Sequence, residues 1–125
     1  MDEKPKIGHI TWRDLTVPNA EALRDFYAAV VGWKPQDCDV GGYSDFSMLA
    51  PDGECVAGVC HARGINADVP PQWLMYVNVN DLDRSVTECT NRGGAIVVQP
   101  RGLMGGRFCV IRDPAGAVCA LYQPG

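Results

Sequence analysis

Apolar positions change period several times along this chain, and each change marks an element. Residues 7–14 form a short β-favouring run carrying Ile10 and Trp12, which reads as a strand. From Val17 the spacing lengthens. Leu23, Phe26, Tyr27, Val30 and Val31 recur at i, i+3, i+4, i+7 and i+8, one apolar stripe of a helix. Pro18 and Asn19 mark its start, with Asn19 as N-cap and Glu21 in the first turn, and Gly32 stands where a C-terminal cap belongs. Three short strands follow, around residues 33–36, 43–49 and 54–60. The turns between them carry Gly41-Gly42 and Pro51-Asp52-Gly53.

The segment HARGINADVPPQ holds Gly64, Pro70 and Pro71 and has no periodicity, so it reads as a linker over about residues 62–71. After it the pattern starts again: strand, N-cap, helix, glycine, strand. Asp81 answers Asn19, Val79 answers Val17 and Gly94 answers Gly32, all at an offset of 62 residues. Leu82, Val86 and Cys89 give the second helix its stripe, and the turn Pro114-Ala115-Gly116 answers Pro51-Asp52-Gly53 at an offset of 63. One βαβββ unit is therefore written twice in a single domain spanning residues 1–125, as module one (about 7–61) and module two (about 72–124).

A four-stranded sheet with one helix leaves its other face uncovered. Two such sheets can curve toward each other into a half-open eight-stranded α+β barrel with its helices outside. Such a barrel encloses a cleft for a small ligand. The alternative is an α+β sandwich whose interior is filled. Leftover edges and apolar surface favour a homodimer.

Composition narrows the functional classes. Apolar residues make up 46% and charged residues 21%, enough for a packed core. Fifteen acidic against 11 basic residues give a net charge of -4, which argues against nucleic-acid binding, since that needs a basic surface. No apolar run approaches a membrane span and the first ten residues are polar, so a cytoplasmic protein without membrane contact is expected. Six cysteines stand without any Cys-x-x-Cys spacing. They read as reduced, with Cys55, Cys109 and Cys119 in the core, and Cys60-His61 lacks a partner pair at metal-site spacing.

The phrases HITWRDLTVPNAEALRDFYAAVVGW, PPQWLMYVNVNDLDRSVTECTNRGG and GRFCVIRDPAGAVCALYQP resemble the vicinal oxygen chelate superfamily, over about residues 8–124. That superfamily includes glyoxalase I, bleomycin-resistance proteins and extradiol dioxygenases. The resemblance implies paired βαβββ modules in an open barrel, often dimeric, with metal ligands on the first and last strands of each module. The first-strand ligand lies seven residues before the helix-starting residue, and the last-strand ligand four past the turn glycine. Those positions hold Trp12, Leu74, Ala57 and Ala120, none able to coordinate a divalent cation. No metal and no cofactor is expected.

Strand alternation then gives the cleft a lining of Trp12, Asp14, Ala57, Gln72, Leu74, Tyr76, Ala120 and Tyr122. This is an apolar and aromatic surface with a few polar handles, suited to an apolar or aromatic small molecule. The bland alternative is that Trp12 and Leu74 fill the barrel. Asp14 is the one candidate general base, for which a raised pKa and a substrate proton would be needed. Arg107 and the glycines of RGLMGGR read as a turn before the penultimate strand. Neither a Gly-x-Ser-x-Gly elbow nor a phosphate loop is present. Three readings stand: a metal-free binding protein, a glyoxalase-type lyase or isomerase or a dioxygenase-related enzyme, and a structural or regulatory domain with a filled cleft.

Overall fold

A computed structural model describes residues 6–125. It contains eight strands and two helices in an α+β arrangement, divided into two compact units. One unit spans Trp12–Trp73; the other joins residues 6–11 to Leu74–Gly125.

The Trp12–Trp73 unit holds β1 (Ile10–Val17, whose first two residues belong to the other unit), α1 (Ala20–Val31), β2 (Lys34–Asp39), β3 (Ser44–Leu49) and β4 (Cys55–His61). Its sheet order is β2-β3-β4-β1, with β2–β3 and β3–β4 antiparallel and β4 returning parallel to β1. The strand expected over 7–14 starts later, because Gly8 turns the chain at φ 84°. The core is Leu15, Val17, Ala20, Phe46, Met48, Ala57 and Val59, with Leu23, Tyr27, Trp33 and Trp73 packed against it.

The α1 stripe is narrower than its sequence spacing suggests. Ala20, Leu23 and Tyr27 meet the core, while Phe26 and Val30 remain 47% and 65% exposed. The face turned to the core therefore carries the small Ala20, fully buried, rather than the bulkier Phe26 and Val30. Asn19 makes no side-chain cap; Gly32 does end the helix, in left-handed backbone with its N–H on the Ala28 carbonyl at 3.1 Å. An aromatic cluster closes the unit. Trp73 Nε1 donates to Tyr27 Oη at 2.9 Å, and Trp33 packs edge-on to Trp73. The segment expected as a linker is built into the unit through a 3-10 turn at Gly64–Asn66 and buried Val69.

The second unit repeats the plan with β5 (Trp73–Asn78, of which Trp73 lies in the first unit), α2 (Leu82–Asn91), β6 (Ala95–Leu103), β7 (Gly106–Arg112) and β8 (Val118–Gln123), in the order β5-β8-β7-β6. Here Asp81 caps as expected, accepting from Arg84 N–H at 3.1 Å. The left-handed residue after α2 is Gly93 rather than Gly94. Gly94 instead makes a close approach, since a Cβ there would sit 2.5 Å from Cys89 Sγ. RGLMGGR forms the β6–β7 hairpin, turning at Met104 (φ 47°) and Gly105 (φ 79°).

Candidate functional site

The strand ladders decide which predicted lining residues share a face. In the first unit Asp14 pairs with Gly58, and Thr16 with Cys60. A Cβ on Gly58 would lie 3.2 Å from both Asp14 Cβ and Trp12 Cζ2, so Trp12, Asp14 and Gly58 form one patch. Leu15, Val17, Ala57 and Val59 point the other way, into the core beneath α1.

Ala57 therefore does not lie beside Trp12 and Asp14, and the alternation drawn from the turn glycine is corrected by one residue. The cause is a bulge. Met48 pairs with Ala57, but its neighbour Leu49 pairs with Cys55, so β4 spends one extra residue, Val56, against β3. Module two has no such residue, and Tyr76 pairs with Ala120 as Asp14 pairs with Gly58. The repeat offset is thus 63 at the turn (116−53) and 62 at the ladder (120−58).

The Trp12 indole lies across Gly58 and is held by its Nε1–H, which donates to Asp14 Oδ2 at 3.3 Å. Both side chains are half-buried. Cys60 stands next along the same face. Burial, followed by the Asp14 and Asp45 carboxylates, pushes its thiol far above the usual range, so it remains a neutral thiol rather than a nucleophile. Among the other cysteines, Cys109 is buried as expected, Cys119 is half-buried, and Cys55 is exposed rather than in the core.

In the second unit Leu74, Tyr76 and Ala120 are buried, at 1%, 5% and 0% exposure. Tyr76 faces Phe108 with ring centroids 6.3 Å apart, and the rungs Tyr76–Ala120–Val110 and Asn78–Tyr122–Phe108 make a largely apolar face. Tyr122 is half-buried, and its hydroxyl donates to the Met104 carbonyl at 2.9 Å, tying β8 to the hairpin tip. Gln72 is exposed and precedes β5, outside the strand expected to carry it.

One constellation was not anticipated. His61 ends β4 instead of lying past it, and its buried ring is held between two carboxylates. Nδ1 is 3.0 Å from Asp45 Oδ1, and Nε2 is 3.0 Å from Glu21 Oε2 in the first turn of α1. The His61 backbone N–H also donates to Asp45, at 2.8 Å. Burial opposes charge on the ring, but hydrogen bonds to Asp45 and Glu21 outweigh it and raise its pKa above the usual 6.5. The carboxylates bind opposite edges of the imidazole and so do not converge on one point. Among the described residues no group of three or more His, Cys, Asp or Glu side chains is arranged to hold a metal ion. The sequence signal was faint: Glu21, Asp45 and His61 are far apart in the chain, and only the β3–β4 register brings the last two together.

Residues 6–121 match the family described as the Glyoxalase/Bleomycin resistance protein/Dioxygenase superfamily. The chain belongs to this superfamily. It is 32% identical over 134 residues to the "Anthracycline biosynthesis protein DauV" of Streptomyces sp. (strain C5), covering 94% of this chain and 48% of that protein. It is 35% identical over 120 residues to "Putative glyoxylase CFP32" of Mycobacterium bovis, covering 93% of this chain and 46% of that one. The chain thus spans about half the length of these curated relatives. The fold matches methylmalonyl-CoA epimerase from Streptomyces coelicolor with a TM-score of 0.54 at 17% identity, over 96% of this chain and 99% of the epimerase chain. No helix among the described residues is long and apolar enough to cross a membrane.

Proposed function

We propose that this superfamily member binds a small apolar or aromatic molecule without a metal ion, using the sheet face that carries Trp12 and Asp14. The observation supporting this is the chemistry of the ladder rungs. By resemblance, the ligand positions fall at Trp12 and Leu74 on the first strands, and the corrected register puts Gly58 and Ala120 on the last strands. An indole, a hydrogen, an isobutyl group and a methyl group offer no donor to a divalent cation.

What they offer instead is an aromatic platform. The Trp12 ring edge at Cζ2 packs against the glycine and its N–H is committed to Asp14, a half-buried aromatic surface that suits stacking against a planar ligand. Two curated relatives carry names from anthracycline biosynthesis, and an anthracycline is a natural first probe. The homologues named as glyoxylases keep a lyase reading in play, with Asp14 as its base.

The test is a fluorescence titration of the metal-analysed protein with daunorubicin, with and without EDTA, in the native chain and in Trp12→Phe. Saturable quenching that ignores the chelator and is lost in Trp12→Phe is the expected result. Stoichiometric zinc, nickel, manganese or iron, or chelator-sensitive turnover of a glutathione hemithioacetal, would overturn the proposal. A second reading draws on the burial of Leu74, Tyr76 and Ala120: this face is packing, and the domain is structural or regulatory. Absence of quenching with an unchanged fold would favour it.

A further inference from the structure

A groove of about 590 Å³ runs along the second unit, beside α2 and the end of β5. One wall is Ile7–Gly8, fastened to β5 by Gly8 N–H on the Asn78 carbonyl (2.7 Å) and Asn78 N–H on the His9 carbonyl (2.9 Å). The floor is the chain from Val77 to Asn80. The opposite wall is a single stripe of α2 carrying Arg84, Ser85, Glu88 and Arg92, with the capping Asp81 at its head. At a rise of about 1.5 Å per residue, that stripe is roughly 16 Å long.

The charges along this wall are unequal in their commitments. Asp81 is occupied as the helix cap. Glu88 is paired with Arg92 at 2.9 Å. The Arg84 guanidinium has no hydrogen-bond or ion-pair partner among the described residues, so one uncommitted cation stands about one turn in from the head of this wall. Facing it are apolar surfaces: Ile7, 48% exposed at the rim, and half-buried Val77 and Val79. The acidic groups at Asp81 and Glu88 disfavour a polyanion, while one anionic head with an apolar body fits both the charge and the volume.

We propose that this groove is a ligand site separate from the Trp12 face, taking a small organic anion whose carboxylate sits on Arg84 and whose apolar body lies along Ile7, Val77 and Val79. An Arg–carboxylate contact is directional and bidentate, so it sets the orientation of the bound molecule.

The experiment is an amide NMR titration of the full chain with octanoate, with octanol as the neutral counterpart. Octanoate is expected to shift residues 77–81 and 84–92, with affinity about tenfold or more weaker in Arg84→Gln. Arg84 is exposed and its cap contact uses the backbone N–H, so the substituted chain keeps its fold, which its spectrum verifies directly. No shift in these residues at millimolar octanoate would overturn the proposal. So would equal effects of octanol and octanoate, indifference to Arg84→Gln, or shifts confined to the Trp12 face.

Discussion

Replacing His61 with Gln tests whether a charged imidazole fastens α1 to the end of the β3–β4 pair. The ring contacts Asp45 and Glu21 at 3.0 Å each, and lies edge-on to Tyr43 at 5.3 Å, whose other neighbour is the Arg63 guanidinium, 3.9 Å from the ring centroid. Asp45 is mostly sheltered, so its bond to a protonated ring is the larger contribution; a charge-assisted hydrogen bond of this kind contributes about 2 kcal/mol. The Glu21 contact is open to water and screened, and adds little. In a domain of this size about 2 kcal/mol corresponds to roughly 8 °C in Tm.

The pH dependence follows from the sign of each shift. His61 has its folded pKa raised above 6.5, so its contribution is complete below 6.5 and is lost as pH rises through the folded value. Glu21 is lowered below 4.5, chiefly by its backbone hydrogen bond and then by His61, so its contribution holds above 4.5 and is lost as pH falls through the folded value. The link is therefore strongest between about pH 4.5 and 6.5. Thermal unfolding of both proteins across pH 5 to 9 should give the largest Tm gap near pH 6, narrowing as the solution becomes alkaline. A gap that stays constant with pH would refute the charge argument, and so would a His61 resonance that titrates below 6.5.

Gly106→Ala should lower stability by about 2 kcal/mol or more, read by urea unfolding, because its Cβ would run into the Gln123 carbonyl and lie 2.7 Å from the Tyr122 hydroxyl. Loss below about 0.5 kcal/mol would mean that the hairpin relaxes freely. Leu82→Ala removes a fully buried side chain from the start of α2 and should cost about 2–5 kcal/mol in the same assay. Thiol titration with an aromatic disulfide should find exposed Cys38 and Cys55 reacting first. Cys109, pushed up to about 11 by burial, should react only on unfolding, and six equal rates would contradict the packing.

What could be read from the sequence, and what could not, turns on one residue. The repeat was legible because the caps, turn glycines and apolar periods recur at nearly fixed offsets, and these set the order of elements in both units. Which side chains share a face was less legible, because that depends on strand register, and register shifts with a single inserted residue. Counting four residues past Gly116 reaches Ala120, on the same face as Tyr76. The same count past Gly53 reaches Ala57, which the bulge at Val56 has turned into the core.

A physical signal of that shift was present in the sequence. Gly58 interrupts an apolar strand, where a glycine marks either a bulge or a close approach by another group. Here it stands near both: the bulge residue Val56 two positions before it, and the Trp12 indole packed against it. The salt-bridged His61 was hidden for a related reason, since its partners come from α1 and β3, and neither spacing nor periodicity in one strand reports on its neighbours. A last-strand glycine beside a first-strand tryptophan is therefore the more informative pair to seek in related chains. Where both occur, the glycine leaves room on that face for the indole, as Gly58 does for Trp12.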